Sequence, residues 1–245
     1  MLRRPDYPMV SEFRDRHKGD KIVVLGLGES VTDEALSRAR CHVTIGSNDI
    51  ARVFTPTYLV TIDSPQGLDK DHSPGERSVY VKTALDRGST LVLVQPPRWE
   101  SVIPDFAENP NVWQMAADRP WSWKDPRFTN ELPDYKRYFS GRGMARGPMM
   151  PKWCCTPHLA VHFAAFMGAK HIGMIGVDLS ENRFFEKTDR EHGLSDKVFE
   201  INKVFGNTLD RLREDLGVSL WNLSGISQVT SVPFIGWKEF EELNG

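Results

Sequence analysis

Apolar residues recur along this chain in short runs separated by polar stretches that carry glycine and proline. KIVVLG (21–26), HVTIGS (42–47), YLVTID (58–63), SVYVK (78–82), TLVLV (90–94), NVWQM (111–115), HIGMIGV (171–177) and VSLWNLS (218–224) are rich in β-branched and aromatic residues, and each predicts a strand. Several are apolar at consecutive rather than alternate positions. A strand covered on both faces has that pattern.

A second period lies between some of these runs. Residues 31–39 follow Ser30 and hold Asp33 at the capping-box distance, and Leu159, Phe163, Phe166 and Met167 form an i, i+4, i+7, i+8 stripe. An amphipathic stretch from about Lys197 to Leu216 ends at Gly217, a C′ glycine. Strands alternating with helices imply a parallel sheet joined by right-handed crossovers. The expected class is α/β, a Rossmann-like, mostly parallel sheet with helices on both faces. Chains usually divide only beyond about 250 residues, so residues 1–245 are expected to form one domain.

Two regions break the pattern. Residues 116–153 are dense in Pro, Trp, Arg and Gly with no sustained period, and residues 180–196 (SENRFFEKTDREHGLSD) are polar and unpatterned after a buried strand. Long irregular insertions in an α/β domain are more often functional than idle, and both are expected to be lids.

Composition narrows the setting. With 40% hydrophobic and 26% charged residues and no apolar run near the roughly 20 residues of a membrane helix, no membrane span is expected. Pro5, Asp6 and Pro8 interrupt the start where an export signal would be apolar, and three cysteines, two of them adjacent, suit a reducing compartment. The expected location is the cytoplasm. Lys and Arg number 31 against 33 Asp and Glu, so no global field draws the protein to nucleic acid.

The first run leads into Gly26-Leu27-Gly28-Glu29-Ser30, a G-x-G-x-S loop. A dinucleotide fingerprint needs a further glycine where Val31 stands, and a Walker loop needs Gly-Lys-Ser/Thr. Two uses remain: backbone amides at Gly26, Gly28 and Ser30 approaching a nucleotide, with Ser30 capping a helix, or a structural turn. Asn48 and Asp63 each end a strand, where a ligand crevice opens above a parallel sheet. Each can hydrogen-bond a base or ribose, or cap a turn. Thr156-Pro157 starts a helix whose N-terminus favours a phosphate or carboxylate, with His158 near the ligand and His162 packed against a neighbouring helix.

Asp178 closes the 171–177 strand where α/β enzymes place reacting carboxylates, and His192 lies in the loop beyond. Lys136, Arg137, Arg142, Arg146 and Lys152, interleaved with Tyr135, Tyr138, Phe139 and Trp153, can clamp the phosphates of a nucleotide or fold over their own aromatics. The adjacent Cys154 and Cys155 lack metal-ligand spacing, and no metal set is expected.

These segments together carry a resemblance. KIVVLGLGESVTDEALSRA, HVTIGSNDI and YLVTIDSP, followed in order by CTPHLAVHFAAFMGAKHIGMIGVDLS and GVSLWNLSGISQVTSVPFIGWKEF, resemble the bacterial sialyltransferases of glycosyltransferase family 42. They are equally similar to the DUF115 and MptE-like pterin diphosphokinase group, and similar small proteins occur in bacteriophages. The resemblance implies a Rossmann-like, metal-independent transferase without a tightly bound cofactor. It would take a nucleotide-sugar such as a CMP-linked donor and pass the sugar to a hydroxyl-bearing acceptor. It implies donor contacts at Gly26, Gly28, Ser30, Asn48 and Thr156, and His192 as the base; the position of Asp178 at a strand end makes it the alternative base. The family's lid tyrosines are missing: residues 179–200 hold Phe184 and Phe185 but no Tyr. An MptE-like Mg²⁺-dependent diphosphokinase and a non-catalytic nucleotide-binding phage protein are the alternatives.

Overall fold

The computed structural model describes residues 9–62, 76–94, 109–118, 132–141, 148–180, 182–184 and 197–244. Seven strands form one sheet: β1 Lys21–Leu25, β2 Val43–Ser47, β3 Tyr58–Thr61, β4 Thr90–Val94, β5 Val112–Met115, β6 His171–Ile175 and β7 Ser219–Asn222. Their spatial order is β5-β4-β3-β2-β1-β6-β7, and every neighbouring pair is parallel. This is the expected Rossmann-like α/β class. The helices are α1 Asp33–Ala39, α2 Glu76–Asp86, α3 Tyr135–Ser140, α4 Thr156–Phe166, α5 Val198–Arg211 and α6 Trp237–Glu242.

Alternation along the strands divides the core into two layers. Ile22 and Val24 of β1 pack with α3, α4, α5 and a 3-10 turn at Val10–Phe13, whereas Val23 and Leu25 pack with α1, α2 and α6. Because both faces are covered, consecutive strand positions must be apolar, which explains the unbroken runs in the sequence. Helix α4 goes further than its apolar stripe predicts. Ten of its residues are buried, since the sheet lies beneath it and Tyr135, Phe139 and Phe205 cover it from outside.

One expected strand is a helix. SVYVK lies within α2, where Val81, Ala84 and Leu85 are buried at i, i+3 and i+4 while Val79 is 61% exposed. The β-branched bias of five residues loses to a helical period that continues beyond them. The amphipathic stretch ending at Gly217 forms as expected: α5 runs on through a π turn at Leu212–Leu216, and Gly217 takes a left-handed φ of 68°.

The topology locates a crevice. From β1 the chain builds outward through β2 to β5, then returns through α4 to β6 on the other side of β1, so the order reverses between β1 and β6. Ligands of open α/β sheets bind outside the carboxyl ends of the strands at this reversal. Since α4 leads directly into β6, its N-terminus lies at that same edge. Among the described residues no helix is long and apolar enough to cross a membrane.

Candidate functional site

The loops after β1 and β6 are zipped together. The amides of Gly26 and Gly28 donate to the carbonyls of Ile175 and Gly176, each at 2.8 Å, and the Ser30 amide donates to Asp178 Oδ2 at 2.8 Å. The Ser30 hydroxyl donates to Asp178 Oδ1 at 2.7 Å and accepts from the Gly176 amide at 2.9 Å. A Cβ on Gly26 would strike the Gly176 carbonyl, and one on Gly28 would strike the Asp178 carboxylate. The glycines therefore permit a close approach of two loops, the structural one of the two uses open to them.

All three amides are thus engaged within the protein. Ser30 does not cap α1: Thr32 is the N-cap, its hydroxyl accepting from Ala35 N. The loop is also covered, since Phe184 N donates to the Leu27 carbonyl at 2.9 Å and Asn182 Nδ2 to Glu29 Oε1 at 3.1 Å.

Asp178 is the centre of this network. Its side chain is buried, accepting from Ser30 and from the Ser224 hydroxyl at 2.8 Å. The carboxylate ties the loops after β1, β6 and β7 into one rim. The next residue, Leu179, has a left-handed φ of 55°, a conformation costly for a branched side chain and held here by Gln228 Nε2 donating to the Leu179 carbonyl at 3.4 Å.

Asn48 and Thr156 do come together. Asn48 follows β2 with a left-handed φ of 45°, which Asn tolerates better than most residues, and its Nδ2 donates to Thr156 Oγ1 at 3.3 Å at the start of α4. The Asn48 Oδ1 and the Ser47 Oγ beside it are buried without a hydrogen-bond partner among the described residues. So is the Trp153 Nε1, three residues ahead of Thr156. An unpaired buried polar atom costs about 1–3 kcal/mol, and native proteins retain few of them. Ser47 and Trp153 are additions to the site; the sequence signals them only through their proximity to Asn48 and Thr156.

His158 does not face the crevice, contrary to expectation. It is 1% exposed, its Nδ1 accepting from Cys154 N at 3.2 Å and its Nε2 donating to Thr208 Oγ1 at 2.8 Å. Burial, aided by the neighbouring His162, holds its pKa well below the usual value. His162 packs as expected: Nε2 donates to the Lys152 carbonyl at 3.2 Å and Nδ1 accepts from Tyr135 Oη at 2.8 Å. Burial lowers its pKa to about 3. Both rings are neutral Nε2–H tautomers, because each Nε2 is the donor in these pairs.

The basic segment divides. Tyr135 and Phe139 of α3 pack along α4, and the stack of Phe139 on Phe166 places α3 toward the far end of α4 from the crevice. Lys136 reaches Asp215 at 3.9 Å, so it is not poised over a phosphate at the carboxyl edge. Arg142, Arg146, Asp63 and His192 lie outside the described residues, as do half of the first expected lid and most of the second.

The fold has solved counterparts. The sialyltransferase CstII from Campylobacter jejuni, in complex with the substrate analogue cytidine-5'-monophosphate, matches with a TM-score of 0.51 and 14% identity over 93% of this chain and 88% of that one. A variant of the same sialyltransferase in complex with CMP matches with a TM-score of 0.50 and 13% identity over 87% and 84%. The MAf glycosyltransferase from Magnetospirillum magneticum AMB-1 matches with a TM-score of 0.50 and 11% identity, over 96% of this chain but 38% of that one. At these identities the likeness is one of fold. No known protein family matches the sequence, and no curated protein matches it.

Proposed function

We propose that this protein is a glycosyltransferase that takes a sugar from a cytidine-type nucleotide donor and passes it to a hydroxyl acceptor by direct displacement. The observation that carries the reading is Asn48. Its carboxamide is fixed by Thr156 at the N-terminus of α4, and its Oδ1 is buried without a partner among the described residues at the edge where α/β folds bind ligands. A ribose hydroxyl or an exocyclic amine is the donor that such an oxygen lacks. The N-terminus of α4 carries partial positive charge beside it, suited to the donor phosphate as negative charge develops on departure. CstII, which shares the fold, binds CMP.

In this reaction an acceptor oxygen bonds to the anomeric carbon while the bond from that carbon to the phosphate oxygen breaks. The nucleoside monophosphate leaves with the bonding pair. The acceptor proton passes to a base, and with Asp178 enclosed His192 is the remaining candidate. Asn48 and Thr156 hold the nucleotide, and the Asp178 rim keeps the loops around it in place. Asp63, after β3, is assigned to the same nucleotide.

The test is release of CMP from CMP-linked sugars, followed chromatographically with and without simple sugar acceptors. Turnover is expected, and His192→Ala should lower it by about 100-fold or more while CMP still binds. Unchanged turnover in that variant removes His192 from the mechanism. Consumption of ATP with Mg²⁺ in place of CMP-sugars would assign the site to diphosphate transfer.

A further inference from the structure

Two thiols immediately precede Thr156 of the proposed nucleotide site along the chain. Cys154 and Cys155 are adjacent in sequence, both partly exposed, and the Cys154 thiol donates to Cys155 Sγ at 3.9 Å. Cys155 is the N-cap of α4, with extended backbone at φ −153° and ψ 165°. The pair immediately precedes Thr156, whose hydroxyl orients Asn48.

We infer that Cys154 and Cys155 form a redox-sensitive modification site, closing reversibly to a vicinal disulfide that disables the adjacent ligand site; the second part rests on the nucleotide reading above. Cys155 is the attacking sulfur. Its pKa is lowered by the hydrogen bond from Cys154, and helix N-termini stabilise thiolates generally. With a glutathione-type disulfide as oxidant, the Cys155 thiolate attacks one sulfur and expels one thiolate, giving a mixed disulfide. Cys154 then loses its proton and attacks Cys155 Sγ, expelling the second. Two protein thiols are oxidised, and one disulfide is reduced to two thiols.

Closure has a structural consequence. A disulfide is about 2.05 Å long, so the sulfurs must approach from 3.9 Å, and the backbone between them must turn to allow it. That backbone holds the first turn of α4: the Cys155 carbonyl accepts from Leu159 N at 3.1 Å, and Cys154 N donates to His158 Nδ1 at 3.2 Å. Moving it displaces Thr156 and with it Asn48.

The experiment treats a Cys41→Ser protein, which lacks the exposed third thiol, with glutathione disulfide and compares it with the dithiothreitol-reduced form. Intact mass should fall by about 2 Da rather than rise by about 305 Da, and dithiothreitol should restore it. Adding Cys155→Ser should abolish the 2 Da loss. CMP affinity should drop at least tenfold on oxidation and recover on reduction. Hydrogen exchange over residues 156–160 should quicken in the oxidised form, a readout that needs no nucleotide. If the reduced protein binds no CMP but forms the disulfide and frays this turn, the nucleotide reading fails and the thiol site stands. A stable glutathione adduct, no reaction, or a disulfide that leaves both exchange and affinity unchanged overturns the inference.

Discussion

Ser30 and Asp178, 148 positions apart, are joined twice: the serine hydroxyl donates to one carboxylate oxygen at 2.7 Å and its amide to the other at 2.8 Å. Ser224 adds a third bond from the loop after β7. The carboxylate therefore acts as a clasp between the loops after β1, β6 and β7.

Asp178→Asn separates the clasp from a catalytic base. The amide can accept at only one end, and removal of a buried charged acceptor from a hydrogen-bonded cluster should cost about 2 kcal/mol in urea unfolding. Turnover measured well below the melting temperature should stay within about tenfold of the parent, whereas loss of a base costs about 100-fold or more. A fall of that larger size would return Asp178 to the chemistry.

Glycines with different surroundings should respond oppositely to the same change. Gly28→Ala drives a methyl into the Asp178 carboxylate and should destabilise by about 1–3 kcal/mol. Gly206 lies within α5, where an added Cβ meets only Ser231 Cβ at 3.5 Å, an ordinary contact. Gly206→Ala should stabilise by about 0.5–1 kcal/mol through helix propensity. Paired urea titrations check both signs.

The fold was legible where local pattern and tertiary demand agree. Runs such as TLVLV and HIGMI are apolar at consecutive positions because the sheet is covered on both sides, and the parallel pairing follows from alternation with helices. SVYVK failed because its helical partners, Ala84 and Leu85, lie outside the run. Asn48 and Thr156 were legible because each sits at an element boundary that the topology carries to one edge. The fates of the glycine loop, Asp178 and His158 were not, since each depends on a partner distant in sequence: Gly176, Ser30 and Thr208.

The buried His158 and His162 predict an acid-labile fold. Their pKa values in the folded protein lie below the unfolded value near 6.5, His162 at about 3, so between these limits the unfolded chain binds more protons. Their contribution is fully present above about pH 6.5 and is lost as pH falls toward the folded values, at up to about 1.4 kcal/mol per pH unit for each histidine. Urea midpoints should decline between pH 6 and pH 4. His162→Gln, which removes one of these two groups, should show a shallower decline over this range.

The most direct measurement is calorimetric titration of CMP into the protein and into Asn48→Gly, which keeps the left-handed backbone accessible while removing the carboxamide. The account predicts binding to the parent and a loss of about tenfold or more in the variant, with an unchanged melting temperature in the absence of nucleotide. Equal affinity in the two proteins, or no binding to the parent, would contradict it.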